Sequence, residues 1–119
     1  MNLKDQVLSI VQVRELQELG FDVNKHSSLK SNGKQIIVQD DFYIGGAPLF
    51  PTMTIGDIIE VLPNRINIER FLFRLEINNP SVYYTDRIKN TGIYFYNKGL
   101  IDNLFETLKW CIEEKHIEL

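Results

Sequence analysis

Asp40 and Asp41 are adjacent carboxylates, a combination found in metal-binding and catalytic sites. Paired carboxylates can coordinate a hard cation, or they can act as acid and base in catalysis. A cation site needs further oxygen ligands, and a catalytic pair needs a partner with a defined role. The neighbouring sequence supplies neither. We therefore interpret Asp40 and Asp41 as solvated carboxylates at a strand end or a bulge.

Cys111 and His116 are the next pair to consider, because a thiol beside an imidazole can form a nucleophilic dyad. Five residues along a helix correspond to about 140° of rotation, and Cys111 falls on the apolar side of a predicted helix. We therefore predict a buried structural cysteine. Cys111 is the only cysteine in the chain, which excludes an intrachain disulfide and a cysteine-based zinc site.

A glycine pair, Gly45 and Gly46, precedes a predicted helix and could suggest a loop that binds phosphate. The spacing of a P-loop and its Gly-Lys-Ser/Thr ending are absent. Asp57, in the first turn of the following helix, would also repel an anion. We predict no catalytic residue, no cofactor and no metal site, and hence no enzymatic activity.

Residues suited to a protein interface are a different kind of candidate. Trp110 lies outside the apolar arc of its predicted helix, and Pro48, Leu49 and Phe50 belong to an apolar loop. Exposed aromatic and apolar residues often anchor interfaces. The alternative is that Trp110 packs under the C-terminal residues or against residues 94–96. The first interpretation predicts protein–protein contact or self-association, with an unknown protein or a second copy as partner.

A second hypothesis places nucleic acid on a basic sheet face that contains Arg70, Arg74, Tyr83 and Arg87. Arginines would contact phosphates, and the tyrosine would stack on bases. The net charge of −3 disfavours a general nucleic-acid binder. The charge is uneven, however, because residues 65–98 carry six basic and three acidic side chains, whereas each flank has a net charge of −3. Pairing between the basic segment and the acidic flanks is the alternative explanation.

The composition is typical of a globular protein, with 44% hydrophobic and 24% charged residues. The length of 119 residues predicts one domain over residues 1–119. No apolar stretch approaches the ~20 residues that cross a bilayer, and the first residues lack the regions of a signal peptide. We expect a cytoplasmic protein without membrane contact.

The clearest helix start lies at Thr54. Thr54 as the N-cap and Asp57 as the third helical residue form a capping box, and Met53 and Ile58 have the spacing of a hydrophobic staple. Pro63 disfavours continuation of the helix. These features predict a helix over residues 55–62.

Two further helices are predicted. Ser9 and Gln12 form a capping box for a helix over residues 10–19, and Gly20 is placed to end it in a Schellman motif. The longest predicted helix spans residues 98–115 and has one broad apolar face.

Alternation of apolar and polar residues predicts strands over residues 36–44, 70–78 and 82–88. The register of the 70–78 and 82–88 hairpin stays open, because a slip of one residue exchanges Tyr83 and Tyr84 between the two faces. Residues 93–96 are either a further short strand or an aromatic segment that closes the core. Turn-forming residues predict loops or turns over residues 22–35, 45–51 and 64–69.

Together these elements predict an α+β fold, in which a small, mainly antiparallel sheet of about three to four strands is covered on one face by about three helices. The loop over residues 22–35 is predicted to be the most flexible segment.

Several short stretches together resemble a known group of proteins. They are Ser9-x-x-Gln12 with Leu16, Leu19-Gly20-Phe21-Asp22, Pro51-Thr52-Met53-Thr54, Val82-Tyr83-Tyr84, Leu100-Ile101-Asp102 and Lys109-Trp110-Cys111-Ile112. The chain resembles small uncharacterised proteins of phages, prophages and conjugative elements of gut Bacteroidetes. This resemblance implies a bacterial or phage cytoplasm as the setting. It implies no activity, ligand or catalytic residue.

Overall fold

The computed structural model describes residues 6–31, 37–39, 50–86, 88 and 91–119. The sequence predictions for Asp40, Asp41, Gly45, Gly46, Pro48, Leu49 and Arg87 lie outside the described residues. The chain forms two compact units, Met1–Val61 with Leu119 and Leu62–Glu118. Helices and two antiparallel sheets are present, which confirms the predicted α+β class. The single domain stays a prediction.

Helix α1 (Ile10–Glu18) has the ends that the sequence predicts. The Ser9 hydroxyl accepts the Gln12 N–H at 3.2 Å, and the Gln12 side chain accepts the Ser9 N–H at 3.0 Å. At the other end Gly20 has a φ of +91°, and the Phe21 N–H donates to the Leu16 carbonyl. Both the capping box and the Schellman motif are therefore confirmed.

The first unit also contains a short helix and a three-stranded sheet, most of which the sequence patterns did not predict. Helix α2 (Val23–His26) follows α1, and strands β1 (Leu29–Ser31), β2 (Ile37–Gln39) and β3 (Phe50–Thr52) pair in the order β2-β1-β3. The loop predictions for 22–35 and 45–51 are wrong at α2, β1 and β3. Elements of three or four residues are too short to show a period. Pro51 further disguised β3, where it is tolerated because β3 lies at the sheet edge.

Helix α3 (Ile55–Val61) starts at the predicted capping box. Asp57 Oδ2 accepts the Thr54 N–H at 3.0 Å, and the Asp57 N–H donates to Thr54 Oγ1 at 3.1 Å. The same Asp57 oxygen also accepts the N–H and the hydroxyl of Ser28, at 3.1 and 2.8 Å. One carboxylate therefore fixes both the start of α3 and the residue that precedes β1.

The second unit is a four-stranded antiparallel meander with one long helix. Its strands are β4 (Arg65–Ile68), β5 (Phe71–Asn78), β6 (Ser81–Asp86) and β7 (Thr91–Phe95), in the order β4-β5-β6-β7. Helix α4 (Leu100–Glu113) contacts β6 and β7. The predicted hairpin and the last helix are confirmed, and of the two alternatives left open for residues 93–96 the structure shows the strand. The predicted sheet that combined 36–44 with 70–78 is not, because Ile37–Gln39 pairs within the other sheet.

Strand β4 corrects the prediction of a turn over residues 64–69. The β4–β5 hairpin closes through Glu69 and Arg70, with φ angles of +51° and +77°. Two-residue hairpin turns of this geometry favour Asn-Gly or Asp-Gly, because most residues avoid positive φ. The usual hairpin signal is therefore missing, and the two isoleucines of β4 are too few to show alternation.

No helix within the described ranges combines the length and the apolarity that a bilayer crossing requires.

We predict that Asp57→Ala lowers the free energy of unfolding by about 1 to 2 kcal/mol, because it removes the carboxylate of the capping box together with its hydrogen bonds to the exposed Ser28. Urea unfolding followed by far-UV circular dichroism measures this change. Glu60→Ala, on an exposed position of the same helix, is the matched control and should cost less than about 0.5 kcal/mol. Equal losses in the two variants would contradict the role of Asp57.

Candidate functional site

Tyr84 on β6 determines which side of the four-stranded sheet is buried. Its side chain is fully buried, and its hydroxyl donates to the Pro63 carbonyl at 2.7 Å. The Cys111 thiol of α4 lies 3.7 Å from the same oxygen. Alternate residues of a strand point to opposite faces, so Val82 and Tyr84 face α4, whereas Tyr83 and Thr85 face the other way.

Cys111 is a structural residue, as predicted. It is fully buried, and burial raises the pKa of the Cys111 thiol to about 11, although its hydrogen bond with Tyr84 acts in the opposite direction. The thiol is therefore protonated near neutral pH and is a poor nucleophile. The His116 ring contacts Trp110, with ring centroids 4.9 Å apart and an interplanar angle of 38°. Among the described residues, no group of three His, Cys, Asp or Glu side chains could hold a metal ion.

Trp110 packs onto the sheet instead of pointing away from it. Its ring lies 6.1 Å from the rings of both Tyr84 and Phe95 and is half-buried. This finding corrects the placement of Trp110 on the solvent side of α4 and agrees with the alternative interpretation. The helix is covered over a wider arc than its apolar residues indicate, since Asn103 is also buried and its amide donates to the carbonyls of Pro80 and Lys98.

The described residues of the predicted protein interface belong to different units of the chain. Trp110 lies in the second unit, and Phe50 is half-buried in β3 of the first. Their role in an interface stays a prediction.

The side of the four-stranded sheet opposite α4 carries a different set of residues, which we call the outer sheet face. It comprises Arg65, Leu72, Arg74, Glu76, Tyr83, Thr85, Gly92 and Tyr94. Two cross-strand rows define it. In one row Arg65 pairs with Arg74, Arg74 with Thr85, and Thr85 with Gly92. In the next, Glu76 pairs with Tyr83 and Tyr83 with Tyr94.

A stacked tyrosine pair occupies the β6–β7 side of this face. The rings of Tyr83 and Tyr94 have centroids 5.1 Å apart and an interplanar angle of 30°. The Tyr94 ring lies over Gly92, where a Cβ would come within 2.8 Å of two ring carbons. Tyr94 nevertheless keeps 52% of its surface exposed. Gly92 thus makes room for a ring that is held in place and still open to solvent.

Two arginines occupy the β4–β5 side of the face. Arg65 and Arg74 are exposed and are register partners, so their side chains leave the same face from neighbouring strands. Like charges directly opposite each other destabilise a sheet. In the part of the chain that the structure describes, no carboxylate forms an ion pair with either arginine.

A groove of about 320 Å³ lies beside Arg74 and is lined partly by the outer sheet face. Its lining includes the 41% exposed Leu72, together with Glu76 and Thr85. Both charged and apolar groups are therefore accessible at one surface.

The predicted basic face is described at three of its four residues, Arg70, Arg74 and Tyr83, because Arg87 lies outside the described residues. Arg74 and Tyr83 do share the outer sheet face, but Arg70 lies in the β4–β5 turn, four residues and hence about 13 Å along the strand from Arg74. The predicted basic face did not include Arg65, Gly92 or Tyr94. A glycine two residues before a tyrosine in a short aromatic strand was the available signal for the Gly92–Tyr94 contact.

We predict that the free energy of unfolding decreases as the pH rises above about 9. An unshifted thiol ionises near 9.0 and buried Cys111 near 11, so the unfolded state releases its proton first. This stabilisation is complete below pH 9 and is lost by about pH 11, at a cost of roughly 2 to 3 kcal/mol. Burial, with Cys111 alongside, raises the pKa of Tyr84 too and acts in the same direction.

Urea unfolding at several pH values measures this dependence. In Cys111→Ala, the free energy of unfolding should decrease less between pH 9 and pH 11 than it does in the unaltered chain, each compared with its own value at neutral pH. An identical slope in the variant would show that the thiol does not contribute.

We also predict that Gly92→Ala displaces the Tyr94 ring from its position beside Tyr83, because the added methyl would occupy the space of the ring. Ring-current shifts of the Tyr83 protons in NMR spectra should change, while the far-UV spectrum stays the same. Thr91→Ala, at an exposed neighbouring position of the same strand, is the control. Unchanged Tyr83 shifts in Gly92→Ala would contradict the described packing.

No family model, curated protein or solved structure matches this chain. Its function is therefore inferred from its own side chains and their arrangement.

Proposed function

We propose that this protein acts by binding another macromolecule, and that the outer sheet face is its binding surface. The observation that supports this proposal most strongly is the half-exposed Tyr83–Tyr94 stack, which shares one face with the Arg65–Arg74 pair. Aromatic and arginine side chains are the types that contribute most to binding surfaces. Here both types are accessible and already held by a sheet.

Rigidity is a second argument for this surface. Tyr83 and Tyr94 are fixed by their mutual contact and by the strands that carry them, so binding would order them little further. Surfaces whose side chains are already positioned lose less entropy on association. By contrast, the buried Cys111 thiol is protonated and enclosed by the core, and it offers no comparable access.

The setting we propose is a mobile genetic element, in which the protein is a small accessory component of a bacterial or phage cytoplasm. This part of the proposal is supported by the resemblance of the stretches around Ser9, Gly20, Thr54, Tyr84 and Trp110 to such proteins. A role in binding is compatible with that setting.

Contact with a protein or a second copy through Trp110 is the second candidate function. It is favoured by the partial exposure of Trp110, since half-buried tryptophans can anchor interfaces. Because its ring packs on Tyr84 and Phe95, Trp110→Ala should also destabilise the fold, by about 2 to 4 kcal/mol. Oligomeric state must therefore be judged on folded protein only.

Light scattering after size-exclusion chromatography, at low and high salt and with absorbance at 260 nm recorded, tests the binding surface. We expect protein isolated from its host at low salt to exceed the 13.9 kDa of one chain. The double variant Tyr94→Ser/Arg74→Gln should return to that mass. Arg14→Gln, which removes an exposed charge from α1, should behave as the unaltered chain does. A complex that survives the double variant unchanged would overturn the outer sheet face as the binding surface.

A further inference from the structure

We propose that the partner of the outer sheet face is a single-stranded nucleic acid, with bases on the Tyr83–Tyr94 stack and phosphates on Arg65 and Arg74. This inference rests on the proposed function, because it requires the outer sheet face to be the binding surface. It adds the chemical class of the partner.

The arginine pair indicates an anionic partner. Arg65 and Arg74 lie directly opposite each other on neighbouring strands, an arrangement that costs stability in the free protein. No described carboxylate forms an ion pair with either one. A phosphate between two guanidinium groups would turn this repulsion into attraction, and arginine binds phosphate with two parallel N–H donors.

The tyrosine pair indicates what kind of anionic partner binds beside the arginines. Tyr94 is 52% exposed, and its ring is held over Gly92 and against Tyr83. Unpaired bases stack on such rings irrespective of sequence. The strands that carry Arg74 and Tyr94 are separated by one strand, hence by about 10 Å across the sheet. One extended single-stranded nucleic acid can therefore reach both Arg74 and Tyr94.

The same features argue against duplex DNA and against a general polyanion. In a duplex the bases are stacked on each other and cannot cover a tyrosine ring. The chain has a net charge of −3, so attraction is confined to the basic segment around the sheet. Glu76, next to Tyr83 in the register, reduces the positive charge of the face and should weaken phosphate binding.

Fluorescence anisotropy with labelled oligothymidine and oligouridine of ~15 nucleotides, at about 50 mM salt, is the direct test. Arg74→Glu should weaken binding roughly tenfold, since each lost phosphate contact has about this effect at low salt. Arg14→Glu makes the same charge change on the exposed side of α1 and should have little effect. The slope of log K against log salt should become shallower in Arg74→Gln by about 0.7.

Two further variants separate stacking from charge. Tyr94→Ser should lose about tenfold in affinity with an unchanged salt slope, because it removes a base platform and no phosphate contact. Gly92→Ala keeps both tyrosines but displaces the ring, so it should lose affinity in the same way. Glu76→Gln should bind more tightly, by a few-fold, because a negative charge beside the phosphates is removed.

The outcomes distinguish this inference from the proposal on which it rests. If no oligonucleotide binds at about 50 mM salt while the mass measured by light scattering still falls in Tyr94→Ser/Arg74→Gln, the outer sheet face binds a protein and the nucleic-acid inference is wrong. Equal affinity for duplex and single strands would also overturn it. If neither assay responds to these variants, both proposals are wrong.

Discussion

The burial of Tyr84 is the constraint on which the second unit depends. A tyrosine can be buried without large cost only if its hydroxyl finds a partner. Here the hydroxyl donates to the Pro63 carbonyl and lies beside the Cys111 thiol, and the ring contacts Trp110. One side chain therefore connects the segment before β4, the middle of the sheet and α4. Among the described buried side chains, none has an unpaired polar atom.

The position of Tyr84 also determines which side chains are exposed to solvent on the outer sheet face. Because side chains alternate along a strand, an inward Tyr84 makes Tyr83 and Thr85 outward, and the antiparallel register carries this choice to Arg74 and Tyr94. The same strand register therefore determines both the packing of the core and the composition of the outer sheet face. The helix covers the face that contains Tyr84, and the opposite face keeps its aromatic and basic groups accessible.

The outer sheet face combines two features that cost stability in the free protein. One is the Arg65–Arg74 pair of like charges, and the other is the exposure of half of Tyr94. Natural sheets usually pair opposite charges across strands and bury their aromatic residues. Both costs fall on one face, and the single-stranded nucleic acid that we propose would relieve both of them.

Local signals in the sequence were sufficient for the helices and the longer strands. The capping boxes at Ser9 and Thr54 and the Schellman motif at Gly20 involve residues three to five positions apart, so the chain alone determines them. Alternation over eight residues identified β5, and the apolar arc of α4 placed Cys111 in the core. Short elements such as α2, β1 and β4 had too few residues for a period to appear.

Which residues share a surface follows from tertiary packing alone. The choice between Tyr83 and Tyr84 depended on the register of a hairpin, and Tyr84 in that register contacts Pro63 and Cys111, which lie 21 and 27 residues away in the sequence. Arg65 joined Arg74 only through a strand whose turn lacks the usual residues. Local sequence signals were enough to predict the capped helices, the buried cysteine and the longer amphipathic strands. The sides on which side chains emerge were decided by packing, because contacts between distant residues select the register.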